Sequence, residues 1–462
     1  MFDTLRFMSA EDIFLVPICL LMFYALVRFR AKRQQDAQVE KLYYRAFYFK
    51  VLCVFAYTFI TEFYFSGGDT GLYYQGVKDL RTALNDDFDY IGDIITSLSL
   101  DDKNPLAPYF MYDGYSYDMT FNYMRAPANF YMPRIGLIPS LLFFNSYLCI
   151  AITLAMFAMA GCLRLFKVFY HFYPHLRKEL ALAILFLPSV GFWSSGLLKD
   201  TICFGCLGFF VYGFFNVFIR KRNFIGSIIW MAIAGYFLYV IKTYIFLVIV
   251  MALVIWLFAE TNKVIKERTL RRIFAFLTFT VGLGVGFFLF QYFTAQETLK
   301  QYQLENIIST AEYQRSNYEF IDQMQENQSS YYTVDASNPV SLVLNSIVAT
   351  FFRPFPWEVK NVAALLSALE ALGFMLLTIH IFLKGGLIRT FKNIFQDPRI
   401  FMCFIFAIVF AIGVGASTAN FGALSRYKIP CLPFYMVMLL LLYNNSGIPY
   451  PAWFKWLLNK LK

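Results

Sequence analysis

Long apolar runs separated by short polar connections make up most of the chain. Eleven of these runs approach or reach the roughly 20 residues that a helix needs to cross the hydrocarbon core of a bilayer. They cover residues 13–28, 47–65, 141–163, 180–198, 201–219, 224–241, 244–259, 273–293, 361–383, 400–419 and 429–443. The pattern predicts an all-α protein, a polytopic membrane helix bundle of about 11 spans that forms a single transmembrane domain over residues 1–462.

The composition agrees with this pattern. Hydrophobic residues make up 59% of the 462 residues and charged residues only 15%, a balance that a soluble domain of this length does not keep in solution. The lipid bilayer is therefore an expected partner. All eight cysteines fall inside apolar runs, so we expect no disulfide framework. Cys203 and Cys206 stand three apart, but with only three histidines in the chain a zinc site is not expected.

Basic residues concentrate in alternate connections. Six of these connections hold 26 of the 40 Lys and Arg residues and 6 of the 30 acids. They are residues 28–50, 164–179, 220–222, 260–272, 384–399 and 455–462. The positive-inside rule places them in the cytoplasm, with the N-terminus outside and the C-terminus inside. Because the charges are spread over separate loops, the net charge of +10 does not indicate nucleic-acid binding. The first apolar run is followed rather than preceded by a basic cluster, lacks a small-residue cleavage site, and is expected to stay as an anchor.

Two outer connections are long, residues 66–135 and residues 294–360. The first contains ten acids and five bases, is rich in Tyr and Phe, and is interrupted by turns that contain Pro or Gly. This pattern predicts short interfacial helices and turns on the membrane surface. The second contains seven acids before an apolar stretch at residues 340–352, which is too short to span and predicts a re-entrant element.

The apolar stretch ends in Arg353-Pro354-Phe355-Pro356-Trp357-Glu358. Two prolines two apart prevent a regular helix, so this hexapeptide should form a rigid bend. The bend would present Arg353 and Glu358 at the interface, with Phe355 and Trp357 in the headgroup layer. The alternative is a simple interfacial anchor in which Arg353 binds lipid headgroups.

Cations lie in the outer connections next to the membrane, whereas the acids are concentrated in the long loops. The cations are Lys199, Lys242, Arg353, Lys360, Arg426 and Lys428. Short connections hold their charges near the rim of the bundle, so the set suits the phosphate or diphosphate headgroup of a lipid-embedded substrate. Snorkelling of each side chain to lipid phosphate, or pairing inside the bundle, is the alternative.

One acid lies in the turn Ser66-Gly67-Gly68-Asp69-Thr70, directly after the second apolar run. A carboxylate at the lipid boundary is costly unless something uses or neutralises it. Beside a leaving phosphate, Asp69 would accept the proton of an attacking sugar hydroxyl as general base. Its structural alternatives are to cap a helix predicted at residues 70–84 or to pair with a base.

Three other acids are weaker candidates. Asp200 adjoins Lys199 and is either a salt-bridge partner or a second catalytic acid. Glu62 lies near the outer end of the second run, and Glu370 is the only acid well inside a span. Each should pair with a basic or polar partner across the bundle, and Glu370 equally suits an ion path.

In several short motifs the chain resembles the bacterial membrane glycosyltransferases of the GT-C superfamily. It resembles the oligosaccharide repeat-unit polymerases and ligases more loosely. The motifs are Gly67-Gly68-Asp69, Phe192-Trp193-Ser194-Ser195 with Lys199-Asp200, Arg353-Pro354-Phe355-Pro356-Trp357-Glu358, and Ser425-Arg426-Tyr427-Lys428-Ile429-Pro430 with Leu432-Pro433. The resemblance implies a polyprenyl-phosphate-linked sugar donor on the outer face of a bacterial inner membrane. It also implies that Asp69 is the base and that Arg426 and Lys428 face the phosphate. Many members place the acidic turn after the first span, so the opening span here is an addition.

Residues and resemblance together predict an enzyme that moves a sugar or oligosaccharide from a polyprenyl (di)phosphate carrier to a glycan or lipid-linked acceptor. Asp69 is the predicted catalytic residue. The predicted lipid-phosphate ligands are Lys199, Lys242, Arg353, Arg426 and Lys428, supported by Asp200 and Glu358. No metal ligands are assigned, although Asp69 with another acid would suit a divalent cation. The alternatives are a repeat-unit polymerase, a transporter or flippase of a lipid-linked anion, and an assembly subunit.

Overall fold

The structure, a computed structural model, describes residues 6–64, 67–111, 119–262, 339–359, 362–418 and 420–460, with a few single residues between 267 and 332. The predicted span at residues 273–293 and most of the second outer loop lie outside the described residues.

Helices are the only regular elements in the described part of the chain, which confirms the predicted all-α class. They are α1 Asp12–Ala31, α2 Ala37–Phe63, α3 Gly68–Asp86, α4 Tyr90–Thr96, α5 Ala107–Met111, α6 Met119–Met124, α7 Pro127–Leu142, α8 Tyr147–Phe172, α9 Arg177–Leu185, α10 Pro188–Trp193, α11 Lys199–Phe214, α12 Phe224–Asn262, α13 Pro339–Phe352, α14 Val362–Gly385, α15 Leu387–Gln396, α16 Pro398–Ser417, α17 Phe421–Tyr427, α18 Leu432–Ser446 and α19 Ala452–Lys460. Short 3-10 helices cover Pro174–Leu176 and Pro356–Glu358, and a π-helix at Phe215–Arg220 continues α11.

Seven of the described helices are long and apolar enough to cross a membrane, and an eighth span arises if α17 and α18, which meet at a 67° bend, count as one. The chain is therefore a polytopic membrane protein. The count of eleven spans stays a prediction.

Three predicted runs have a different backbone from the one expected. Residues 180–198 are not one helix, because the chain leaves helical geometry after α9 and begins again at Pro188, where the missing N–H of proline is tolerated. Residues 224–241 and 244–259 belong to the single 39-residue element α12, but Lys242 within it has non-helical backbone angles (φ −144°, ψ 76°). The predicted connection at Lys242 is therefore present as a break.

The described chain divides into two compact units whose segments alternate along the sequence, so that no single linker separates them. The first unit contains Met1–Phe169, Val190–Gly213 and Ile225–Thr243. The second contains Tyr170–Ser189, Phe214–Phe224 and Tyr244–Lys462.

In the first unit, the predicted outer loop at residues 66–135 contains helices, and α3 packs on α7. The contact depends on small residues: a Cβ at Gly136 would lie 2.7 Å from Val77 Cγ2, and one at Gly76 would lie 3.0 Å from Pro133 Cγ. Residues 68–86 thus form a packed helix rather than a flexible linker. A position of these loop helices on the membrane surface stays a prediction.

Glycines also bring α8 and α11 together inside the first unit. A Cβ at Gly161 would lie 2.3 Å from the carbonyl oxygen of Gly205, and a Cβ at Gly208 would lie 2.1 Å from the carbonyl oxygen of Gly161. Real Cβ atoms do not approach oxygen so closely, so the two backbones touch only because these positions carry no side chain.

We expect Gly161→Ala to lower the free energy of unfolding by about 1–3 kcal/mol, because the methyl group forces two packed backbones apart. The measurement is unfolding of the purified protein in mixed micelles by titration with dodecyl sulfate. Gly226→Ala is the matched control, since Gly226 is exposed in α12, a Cβ there would have no heavy atom within 4 Å, and alanine favours the helix. A Gly161→Ala variant as stable as Gly226→Ala would contradict this packing.

The second unit is built around α13, α16 and α18. A Cβ at Gly415 of α16 would lie 2.3 Å from the carbonyl oxygen of Ser346 in α13, and Thr350 Oγ1 donates to the carbonyl oxygen of Ala411 at 2.8 Å. The Phe351 and Tyr435 rings stack at 3.8 Å between α13 and α18. The 14-residue α13 is about 21 Å long, too short to cross a bilayer alone, so this packing is what holds it.

Candidate functional site

The Asp69 turn has a backbone that only glycine adopts readily. Gly67 and Gly68 have φ angles of 96° and 51°, and α3 begins at Gly68. Nothing lies within 4 Å of a Cβ built on Gly68, so its requirement is conformational rather than steric. Asp69 therefore lies in the first turn of α3, half-buried, where the helix dipole favours a negative charge.

Tyr57 of α2 connects this turn to the segment that precedes Lys199. Its hydroxyl is hydrogen-bonded to Thr70 Oγ1, next to Asp69, at 2.7 Å. Its ring lies against Gly196, where an added Cβ would be 2.2 Å from Tyr57 Cε1. The start of α3 and the turn before α11 are thus fixed to the same side chain in the first unit.

Lys50, two turns before Tyr57 on α2, binds the same turn. Its ammonium group is buried and donates to the carbonyl oxygen of Ser194 at 2.8 Å, to Ser194 Oγ, and to Ser195 Oγ and the carbonyl oxygen of Gly191 at 3.3 Å. The Gly191 carbonyl lies in the last turn of α10 and the Ser194 and Ser195 oxygens follow its end, where the helix dipole favours a cation. Lys50, which is counted with the basic connection at residues 28–50 although the predicted run at residues 47–65 also includes it, lies inside α2.

A buried ion pair joins the start of α11 to the break in α12. Lys242 donates to Asp200, and only 8% and 0% of the two side chains are exposed. The partner of Asp200 in this pair is Lys242 rather than the adjacent Lys199. Lys199, the first residue of α11, is half-buried.

In the second unit, the predicted hexapeptide bend closes on itself. Arg353 Nε donates to Glu358 Oε1 and Oε2 at 3.0 and 3.1 Å, and Arg353 Nη2 also binds Glu358 Oε1. The Phe355 N–H donates to Glu358 Oε2 at 2.8 Å, and the Phe355 and Trp357 rings stack at 4.9 Å with Trp357 largely exposed. Arg353 and Glu358 therefore pair with each other.

Lys428 lies beside this bend and is buried. Its Nζ donates to the carbonyl oxygen of Arg353 at 3.0 Å, and the negative charge of Glu370 acts on it. Glu370 Oε2 accepts from the Ser189 N–H at 2.9 Å, whereas its buried Oε1 has no hydrogen-bond partner among the described residues. The polar partner that the structure gives Glu370 is therefore the backbone N–H of Ser189.

The remaining predicted charges occupy separate positions. Arg426 is half-buried in α17, with its guanidinium carbon 5.8 Å from the centre of the Tyr427 ring. Glu62, near the end of α2, is half-buried, and its Oε2 has no hydrogen-bond partner among the described residues. Lys360 lies outside the described residues. No three His, Cys, Asp or Glu side chains form a metal-binding group in the described part of the chain, and a divalent cation stays a prediction.

The predicted site residues thus form two sets, each within its own unit. Asp69, Lys199, Asp200 and Lys242 lie in the first unit, and Arg353, Glu358, Arg426 and Lys428 lie in the second. Sequence reasoning missed Lys50 and Tyr57, because it treated Lys50 as a loop charge and Tyr57 as one of many membrane aromatics. The available signal was their spacing of seven, which places both on one face of a helix.

Comparison with known proteins gives no matching family model, no matching curated protein and no matching solved structure.

Chemically, the first unit combines a half-exposed carboxylate with a half-buried cation. Asp69 directly follows the Gly67-Gly68 turn and is half-buried, so its carboxylate is partly accessible at the start of α3. Lys199 begins α11, and Tyr57 holds the preceding turn to the start of α3. A proton acceptor and a cation anchored through the same side chain suit the displacement of an anionic leaving group.

Proposed function

We propose that the chain is a polyprenyl-phosphate-dependent glycosyltransferase that moves a sugar or oligosaccharide to an acceptor outside the cytoplasm. The proposal includes an inner-membrane location, about 11 spans, an outer N-terminus and a cytoplasmic C-terminus. It also includes interfacial helices in the loop at residues 66–135 and a re-entrant element in the loop at residues 294–360. The observation that carries it is the Tyr57 bridge between the Asp69 turn and the Gly196 turn before Lys199.

In the proposed reaction, Asp69 accepts the proton of the acceptor hydroxyl while that oxygen attacks the anomeric carbon of the donor. The bond between the anomeric carbon and the carrier phosphate oxygen breaks, and the phosphate leaves with the bonding electron pair. Lys199 neutralises the charge that develops on the leaving oxygen. Lys242 holds Asp200 at the start of α11, so its role in this proposal is to position Lys199.

The second unit contributes its own proposed anion ligands. Arg426 and Lys428, which the resemblance assigns to phosphate, are two residues apart at the bend between α17 and α18. Arg353 is paired with Glu358, so we propose that this pair shapes the bend that carries the Lys428 hydrogen bond rather than binding phosphate directly. The repeat-unit polymerase remains the alternative within the same chemistry.

A transporter or flippase is the second candidate, and two observations favour it. Glu370 is a half-buried acid whose buried Oε1 has no hydrogen-bond partner among the described residues, and acids inside membrane spans mark ion or proton paths. Breaks at Lys242 and between α17 and α18 also match the interrupted helices of transporters.

The test is mass analysis of lipid-linked sugars in cells that lack the protein. Unmodified acceptor beside unused monosaccharide donor supports a simple transferase, and accumulation of single repeat units supports the polymerase. Accumulation of complete lipid-linked glycan supports a flippase. Lipid-linked sugars identical to those of the parent strain would contradict all three.

A further inference from the structure

The amphipathic helix α15 has three distinct faces. Leu387, Ile388, Phe391 and Phe395 follow helical spacing and are exposed, with Ile388 at 85%. Thr390 and Ile394, four apart, form the buried face, and Asn393 beside them donates to Ser446 Oγ at 2.9 Å. The third face carries Arg389, Lys392 and Gln396, all exposed.

The position of α15 in the chain decides which medium its apolar face meets. Only Gly386 separates it from α14, and only Asp397 separates it from α16. Both flanking helices are candidate membrane spans. Helix α15 therefore lies where two spans leave the hydrocarbon core, and the apolar medium at that depth is the acyl region just below the headgroups.

The charge of this segment selects the headgroups. Lys384, Arg389 and Lys392 are exposed, and no Asp or Glu occurs between Lys384 and Gln396. Asp397, the next acid along the chain, is hydrogen-bonded by Arg399 at 2.8 Å and by Tyr173 at 2.6 Å, so it already has cationic and hydroxyl partners. A helix with an apolar face and a cationic edge, in a segment that contains no acid, fits an anionic lipid surface.

We propose that α15 is an interfacial helix that binds anionic phospholipid headgroups through Lys384, Arg389 and Lys392 while Leu387, Ile388, Phe391 and Phe395 enter the acyl region. The fixed contacts of its buried face keep the helix in one rotational setting. This inference is independent of the proposed glycosyl transfer, because none of these residues belongs to the proposed site.

Depth measurement tests the apolar half of the proposal. The eight native cysteines are buried, so Ile388→Cys and Gln396→Cys variants are labelled selectively with a polarity-sensitive fluorophore in the full chain. In nanodiscs with spin-labelled phosphatidylcholine, we expect strong quenching at position 388 and weak quenching at position 396. Equal, water-like signals at both positions would overturn the proposal, as would a label at position 388 buried against a second copy of the chain.

Lipid retention tests the cationic half. Phosphatidylglycerol bound to the purified full chain is measured by native mass spectrometry for the wild type and for the Lys384→Gln/Lys392→Gln variant. We expect apparent affinity to fall about five-fold for each lysine removed. Lys103→Gln is the matched control, since Lys103 is exposed in the predicted outer loop, and it should leave retention unchanged. Equal retention by the double variant and the control would overturn the headgroup assignment.

Discussion

Replacement of Asp69 by asparagine is expected to lower kcat for sugar transfer about 10²- to 10⁴-fold, the range that a positioned general base contributes. Asparagine keeps the size of the side chain and its place in the first turn of α3 but does not accept the proton. The donor still binds, so KM for the lipid-linked donor should change little. The measurement is the steady-state rate at varied donor concentration, with purified protein in proteoliposomes that contain the donor and the acceptor.

The control for this variant is Asp86→Asn. Asp86 is the last residue of the same helix and is exposed, so its replacement removes the same charge without touching the turn. We expect wild-type turnover from it. Full activity in Asp69→Asn, or equal losses in the two variants, would show that Asp69 is not the general base. Its role would then be that of a residue in the first turn of a helix.

Replacement of Lys242 by methionine is expected to lower the free energy of unfolding by about 3–5 kcal/mol, because it removes the buried cation that is paired with the fully buried carboxylate of Asp200. Methionine fills a similar volume, so lost packing does not dominate the effect. Unfolding by dodecyl sulfate in mixed micelles measures it, with Lys41→Met, an exposed lysine of α2, as the control.

The double variant Lys242→Met/Asp200→Leu isolates the pair. Removing both charges together replaces a buried ion pair by apolar groups, which is often neutral for stability, so most of the single-variant loss should be regained. If the two single losses simply add in the double variant, the ion pair is not what fixes the break in α12 to the start of α11.

The sequence predicts features whose cause is local. The break at Lys242 was predictable, since a lysine between two apolar runs marks a short connection. The helix at residues 68–86 was predictable because the glycine turn is followed by a helical stretch of sequence. The bend after α13 follows from two prolines two residues apart.

Contacts between distant segments could not be predicted in this way. Residues 180–198 form one apolar run in the sequence, yet Pro188 in that run begins a new helix. The turn after this helix is bound by Lys50, which lies 144 residues before Ser194 in the chain. The pairing of Asp200 with Lys242 rather than Lys199 is likewise tertiary. Counting charges in the connections could not show that Lys50 is buried in the protein, whereas other lysines of the same connection are exposed. The period of the helix, rather than the composition of the connection, decides where a side chain points.

The most direct test of the central claim, that the Asp69 and Gly196 turns surround the carrier phosphate, is photolabelling with a polyprenyl diphosphate that carries a diazirine next to the diphosphate. Labelled peptides of the full chain in proteoliposomes are identified by mass spectrometry, with excess unlabelled carrier as competitor. We predict competable adducts within residues 67–86 and 194–200. Competable adducts that leave both segments unmodified would contradict the account.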